Sequence, residues 1–139
     1  MASWQPRTRL PGEQVSVTRT TTPLLPGASA LLDLPGLGRL GHFIAVATDA
    51  PAWLSFYSSI AAREADGSRP INQDPAPGSG VLLDLATTAG ALSVTAPPGG
   101  TYFSTESAPP VQPLRALVRN TGSSQAAIAV TVTAVVLAP

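Results

Sequence analysis

The sequence contains no cysteine and no lysine, and it has a single histidine, His42. The absence of cysteine excludes disulfides, thiolate metal sites and a cysteine nucleophile. One histidine excludes any site built from several imidazole ligands, and without lysine a Walker-type phosphate loop cannot form. We therefore expect no metal, no cofactor and no catalytic residue in this chain.

Charge is also scarce. Charged residues are 12% of the 139 residues, and eight arginines balance eight acids, so the formal net charge is zero. Nucleic-acid-binding domains usually carry a clear basic excess, so we expect no nucleic-acid partner. No apolar run follows the first positive charges, and the longest apolar stretch, residues 126–138, is too short for a membrane span. We expect synthesis in a host cytoplasm without a signal peptide, and no membrane partner.

Proline and glycine, by contrast, are frequent. The 15 prolines and 12 glycines are spread along the chain, so long helices have little room. The segments between them are short, rich in Val and Thr and often alternating, which is typical of β-strands. Strands are expected at residues 13–22, 28–34, 40–48, 53–58, 80–87, 91–95, 102–103, 114–119 and 126–137. The pattern predicts an all-β fold, an antiparallel β-sandwich of jelly-roll type, with a small closed barrel as the competing architecture.

Local signals mark the elements within this fold. The one helical stretch expected is Ile60–Asp66, which Gly67 is well placed to end. Pro23 is expected to end the first strand. Residues 120–125 form a polar connection of hairpin length, in which Gly122 can adopt a positive φ.

The C-terminal segment has no charge at all from residue 120 to residue 139. An exposed edge strand of this composition would promote aggregation, so we expect the last strand to be central or covered. Together with the low overall charge, this indicates a protein with permanent neighbours, either an obligate oligomer or part of a larger assembly.

Residues 1–12 differ from the rest of the chain. They have no periodicity, and they place Trp4, Arg7 and Arg9 among prolines. We expect an extended N-terminal arm over residues 1–12 and one sandwich domain over residues 13–139. A frayed terminus is the alternative. Because an exposed indole is unfavourable unless something covers it, Trp4 favours an arm that docks on a neighbour, with these three residues as interface candidates.

The densest polar cluster lies at residues 63–69. Arg63, Asp66 and Arg69 are spaced three apart, so one carboxylate can lie between two guanidiniums. This spacing favours a structural clamp that fixes the short helix to the loop after it. A binding site for an anionic ligand is the alternative interpretation.

The same residues belong to a longer pattern, Y-x(5)-R-x-x-D-x-x-R-P. It is formed by Tyr57, Arg63, Asp66, Arg69 and Pro70, and it is preceded by Trp53 and Phe56 and followed by Asp74-Pro75, Gly80–Leu83 and Val118–Thr121. This order resembles a group of small β-sandwich proteins encoded with the virion genes of tailed bacteriophages. The resemblance covers about residues 40–138.

The resemblance implies a role and a set of partners. It implies that Tyr57, Arg63, Asp66, Arg69 and Asn120 specify the fold and that the chain has no catalytic activity. The expected protein is a non-enzymatic structural subunit of the virion, either a tail or baseplate accessory or a capsid decoration protein. Its expected partners are copies of itself, with a trimer as one candidate, and other virion proteins.

Two other function classes remain open. A carbohydrate-binding sandwich for host-surface glycans needs exposed aromatic platforms, for which Trp53 and Tyr102 are the candidates. Only 2 Trp, 2 Tyr and 3 Phe are available, which counts against it. A hydrolase would use His42 with a nearby serine, but no serine lies in a G-x-S-x-G motif.

Overall fold

The computed structural model describes residues 12–97, 100–106 and 113–138. These residues form nine strands and one short helix, arranged as two antiparallel sheets. The elements, in chain order, are β1 (Glu13–Leu24), β2 (Ser29–Leu34), β3 (Leu40–Thr48), β4 (Ala52–Tyr57), α1 (Ile60–Asp66), β5 (Val81–Ala86), β6 (Ser93–Thr95), β7 (Thr101–Phe103), β8 (Leu114–Asn120) and β9 (Ala126–Ala138).

The strand order is that of a jelly roll. Sheet A has the order β1-β9-β3-β6, with β7 also paired to β3, and sheet B has the order β2-β8-β4-β5. Because β6 and β7 pair with different halves of β3, they together occupy one strand position. When β6 and β7 are counted as one strand, the fold has eight strand positions. The first pairs with the eighth (β1 with β9), the second with the seventh (β2 with β8), the third with the sixth (β3 with β6 and β7) and the fourth with the fifth (β4 with β5). This confirms the predicted antiparallel, jelly-roll-like β-sandwich.

The core lies between the two sheets. In β9 every second residue from Ile128 to Val136 is fully buried, which is the pattern of a strand with one face in a core. Leu54 and Phe56 of β4 belong to the same core. Phe43 packs against two other core aromatic rings, since its ring centroid lies 5.3 Å from that of Phe56 and 5.2 Å from that of Tyr102.

The uncharged last strand was predicted to be central or covered, and it is central. β9 lies between β1 and β3 and pairs with both along most of its length. Its backbone groups therefore have partners on both sides, and it presents no open edge to another chain.

The first strand is longer than predicted. β1 continues past Pro23 to Leu24, and its pairing with β9 shifts register between Thr20 and Pro23. In the described part of the chain β1 pairs with β9 alone and is an edge strand, where a proline removes no ladder hydrogen bond. The prediction that Pro23 ends the strand was therefore wrong.

The segment between β8 and β9 is not a hairpin. β8 belongs to sheet B and β9 to sheet A, so this segment crosses from one sheet to the other. Gly122 does not have a positive φ. Its backbone N–H instead donates to the side-chain Oδ1 of Asn120 at 2.8 Å.

Tyr102 closes the core at the end near the start of β3. It is 1% exposed, and its hydroxyl donates to the carbonyl of Leu37 at 2.6 Å. Burial raises the pKa of Tyr102 to about 12. Gly41 lies directly against the ring, because a Cβ there would collide with the phenol and with the carbonyl of Val135.

The predicted N-terminal arm lies almost wholly outside the described residues. Residues 1–11, which include Trp4, Arg7 and Arg9, fall there. Gly12, the last residue of that arm, donates its backbone N–H to the carbonyl of Val136 at 2.6 Å, so it is already bonded to β9. No helix among the described residues is long and apolar enough to cross a membrane.

Candidate functional site

Helix α1 lies over the outer face of sheet B and has the predicted bounds. The side chain of Ser59 caps it by accepting the N–H of Ala62 at 3.0 Å, and Gly67 follows its last residue. The helix turns Arg63 and Asp66 toward the sheet, and both are buried. A charged helix face against a sheet needs charged partners there.

The outer face of sheet B supplies those partners. Trp53, Ser55 and Tyr57 of β4 point to this side and alternate with the core residues of that strand. The residues that meet here form the arginine–carboxylate clamp: Asp33, Trp53, Ser55, Tyr57, Arg63, Asp66, Arg69, Asp84, Glu106, Arg115 and Arg119.

Arg69 is the centre of the clamp. Its Nε and Nη2 donate to the two oxygens of Asp66 at 2.8 and 3.2 Å, and its Nη1 and Nη2 donate to those of Asp84 at 3.1 Å each. Nη1 also donates to the carbonyl of Gln73 at 2.7 Å. All five N–H donors of the guanidinium thus have acceptors. Arg69 therefore joins α1, the loop after it and β5.

Asp66 lies between two guanidiniums, but only one of them is the predicted partner. Arg69 is the first, whereas the second belongs to Arg119, whose Nη2 lies 4.0 Å from Asp66 Oδ2. Tyr57 also donates its hydroxyl to that oxygen at 2.7 Å. Arg63 turns away from Asp66, and the predicted Arg63–Asp66 pair was wrong.

Arg63 instead belongs to a second series of ion pairs. Its Nη1 donates to Asp33 Oδ1 at 2.8 Å and to the carbonyls of Leu32 and Ala116 at 3.3 Å. Asp33 Oδ2 lies 3.0 Å from Arg115 Nη1, and Arg115 Nε donates to Glu106 at 3.0 Å. This chain ties α1 to β2, β8 and the segment after β7.

Hydrogen bonds within the clamp favour the charged forms of Asp66, Asp84 and Arg69. Burial would raise the pKa of Asp66, but hydrogen bonds from Arg69 and Tyr57 outweigh it and lower that pKa. Burial acts the same way on Asp84, and bonds from Arg69, Ser55 and Trp53 lower its pKa. The bond to Asp66 raises the pKa of Arg69, while burial and the same carboxylate raise that of Tyr57. Groups locked in this way neither give nor take a proton near neutral pH.

Trp53 is part of the clamp and does not form an aromatic platform for a sugar. Its ring centroid lies 3.5 Å from the guanidinium carbon of Arg119, and its Nε1 donates to Asp84 at 2.7 Å. Trp53 is 6% exposed and Tyr102 is 1% exposed, so neither offers a face to a sugar. Among the aromatic residues described, the exposed one is Phe103, at 42%.

A groove of about 370 Å³ adjoins the clamp between α1 and the loop after it. Asp66, Arg69 and Asp74 line it together with small residues. The donors of Arg69 are already taken by acceptors of this chain, so an anion in the groove would find no free guanidinium edge. The geometry favours the structural clamp over the anion site.

Asn120 holds a separate junction at the far end of β8. Its Nδ2 donates to the carbonyls of Leu24 and Ser124 at 2.8 and 3.0 Å, and its backbone N–H donates to Ala28 at 2.9 Å. Asn120 is 2% exposed. It therefore connects the β1–β2 turn with the crossing between β8 and β9.

His42 lies on the opposite side of the sandwich from the clamp. It is on the outer face of sheet A, exposed, with its Nδ1 3.2 Å from the hydroxyl of Thr101. Within the described ranges, no group of three or more His, Asp or Glu side chains is placed to hold a metal ion.

Among the charged residues of the clamp, sequence reasoning missed Asp33, Asp84, Glu106, Arg115 and Arg119. A signal for three of them is present in the sequence. Arg115 and Arg119 are four apart in a predicted strand, so they share one face, and Asp84 is the one acid in the apolar run VLLDLA. A charge at a regular position in an otherwise apolar strand indicates that the charge is paired in the fold.

Comparison with known proteins assigns no family. No protein-family model matches this chain, and neither the curated proteins nor the solved structures contain a significant match. The interpretation of the clamp therefore depends on its own geometry.

Proposed function

We propose that this chain is a non-enzymatic structural subunit of a tailed-bacteriophage particle, a tail or baseplate accessory or a capsid decoration protein. It acts through contacts with copies of itself and with neighbouring subunits. One observation carries the proposal. Four of the eight arginines and four of the eight acids are bound to one another in the clamp, so the ionic groups stabilise the fold.

The fold and the sequence pattern support the same role. Jelly rolls serve as capsid domains in viruses, although they also occur in lectins and cupins, so the fold alone does not decide a function. The phage-like pattern includes Tyr57, Asp66 and Arg69, and these residues meet in the clamp. These residues hold the helix on the sheet, which is the role expected of a sequence pattern that specifies a fold.

The carbohydrate-binding alternative has less support. A sugar platform requires an exposed aromatic face with polar groups beside it. Trp53 and Tyr102 are buried, and Phe103, the exposed aromatic residue among those described, pairs directly with the apolar Leu40. We therefore retain one candidate function.

The experiment is to purify particles of the phage whose genome encodes the chain on a density gradient and identify their proteins by peptide mass spectrometry. We expect peptides of this chain in a constant ratio to the major capsid protein across gradient fractions. A non-structural protein of the same genome is the control and should be lost on purification. Depletion of this chain along with that control would refute the proposal.

A further inference from the structure

Among the residues that the structure describes, the strand positions on the outer face of sheet A carry no charged side chain. Asp49, which directly follows β3, accepts the backbone N–H of Ala129 in β9 at 2.8 Å. We call the outward-facing residues of β1, β9, β3, β6 and β7 the sheet A face; they alternate with the core residues of these strands. Glu13 and Arg19 are the charged residues of β1, and both alternate onto the other side. The sheet A face consists of Thr, Ser, Ala, Gln, His and apolar residues.

Four hydroxyl groups on this face bond to one another in two pairs. The hydroxyl of Ser16 lies 2.8 Å from that of Thr133, and the hydroxyl of Thr18 lies 2.8 Å from that of Thr131. Each pair bridges β1 and β9 in register. Because these groups already have partners, removing water from the face leaves them hydrogen-bonded and costs less than burying free hydroxyls.

One end of the face is apolar. Leu40 pairs directly with Phe103 in the β3–β7 register, and their exposed fractions are 37% and 42%. Leu137 reaches the same end on β9 at 36% exposure. The register shift between Phe43 and Ala45 brings Ile44 to the same side at 38% exposure. Large apolar side chains gathered on one face typically mark an interaction surface.

The size of the face fits a standard interface. The four strand positions hold 12, 13, 9 and 6 residues, counting β6 and β7 as one position. At about 3.3 Å per residue and about 4.8 Å between strands, their plan area is about 600 Å². This is at the lower end of the share that each partner contributes to a stable protein–protein interface.

We propose that the sheet A face packs against the same face of a second copy of this chain in a two-fold symmetric, sheet-on-sheet dimer. An uncharged face has no counter-charge to offer a basic or acidic partner. It has no like charges to repel its own copy, which is the condition for a self-complementary interface. Two such sheets would pack about 10 Å apart with satisfied hydroxyls between them. The inference rests on the proposed role as an assembly subunit and specifies the partner of one face.

The test compares two exposed apolar residues on opposite sheets. Ile44→Arg places a charge on the sheet A face, and Leu31→Arg makes the same kind of change on β2 of sheet B, where Leu31 is 63% exposed. Sedimentation equilibrium of the purified full chain should give twice the 14.1 kDa of one copy. We expect Ile44→Arg to raise the dimer dissociation constant by about 100-fold or more, because it apposes unpaired charges, and Leu31→Arg to leave it unchanged.

A second variant and a fold control keep the result interpretable. Phe103→Arg should repeat the effect of Ile44→Arg, and circular dichroism should show the same β content in all variants. A chain that is monomeric at about 100 μM, a dimer that both sheet A variants leave intact, or equal dissociation by Leu31→Arg would each overturn the interface. A monomeric chain found in purified particles would remove the dimer and keep the proposed function. A chain that forms the dimer in solution but is absent from purified particles would refute the proposed function and keep the dimer.

Discussion

Arg69 and Asp66 form a side-on, two-bond ion pair, with Nε to Oδ1 at 2.8 Å and Nη2 to Oδ2 at 3.2 Å. The arginine is in the loop that follows α1, and the aspartate is the last residue of the helix. The other edge of the same guanidinium binds Asp84 of β5. One side chain thus fixes the covering helix to the sheet beneath it.

Removal of this guanidinium should be costly. Arg69→Ala leaves two carboxylates, Asp66 and Asp84, close together without their shared partner, and loss of one member of a buried ion pair costs about 3–5 kcal/mol. We expect a loss of that size in the free energy of unfolding, measured by urea denaturation. Arg19→Ala, at an exposed position of β1, is the matched control and should change it by less than about 0.5 kcal/mol. Equal small losses in both variants would show that the clamp does not stabilise the fold.

Acid should weaken the protein through the same carboxylates. The pKa values of Asp66 and Asp84 are lowered in the fold below the ordinary 3.8, so the unfolded chain binds protons more readily. Their stabilisation is complete above that value and is lost as the pH falls through the folded pKa values. We expect the free energy of unfolding to fall steeply as the pH goes from about 5 to about 2, and less steeply in Arg69→Ala. Parallel pH profiles for the two proteins would contradict this assignment.

Alkali should reveal two protected phenols. The chain has 2 tyrosines, Tyr57 and Tyr102, and burial raises both pKa values above the ordinary 10.0, that of Tyr102 to about 12. The fold favours the neutral phenol, so this stabilisation is present below 10.0 and is lost as the pH rises through the folded pKa values. Tyrosinate absorbance should appear at higher pH in the native chain than in the urea-unfolded chain. Tyr57→Phe isolates the titration of Tyr102, and a native curve that coincides with the unfolded one would rule out the burial.

A methyl group at Gly41 should disrupt the core. Gly41→Ala forces a Cβ into the phenol ring of Tyr102 and the carbonyl of Val135, and overpacking of this kind costs about 1–3 kcal/mol or more. Gly90→Ala is the control, because no atom lies within 4 Å of a Cβ built there. Thermal unfolding should show a clearly lower midpoint for Gly41→Ala alone. An unchanged midpoint would mean that the ring and β3 are not in close contact.

The sequence predicted those features that depend on local chemistry. The helix has the predicted limits and is followed by Gly67, and β4 and β9 each lie within one residue of their predicted limits. The central place of β9 followed from its lack of charge, because an edge of that composition would aggregate.

The features that sequence reasoning missed depend on tertiary contacts. Arg63 has Asp66 at helical spacing, yet its partner is Asp33, which β2 brings to it from 30 residues away. Residues 121–125 have the length and polarity of a hairpin turn, yet they connect strands of different sheets. The sequence of such a segment does not determine which sheet the next strand joins. The partner of each segment is set by the packing of whole sheets.

The pairing of the first strand with the last has a consequence for biosynthesis. Glu13 lies opposite Val136, so β1 leaves the ribosome long before its neighbour in the sheet has been translated. Until then a valine- and threonine-rich segment remains without its partner, and the two-layer architecture cannot close. Nascent chains of this protein should therefore need protection from premature association, by a chaperone or by rapid completion of synthesis.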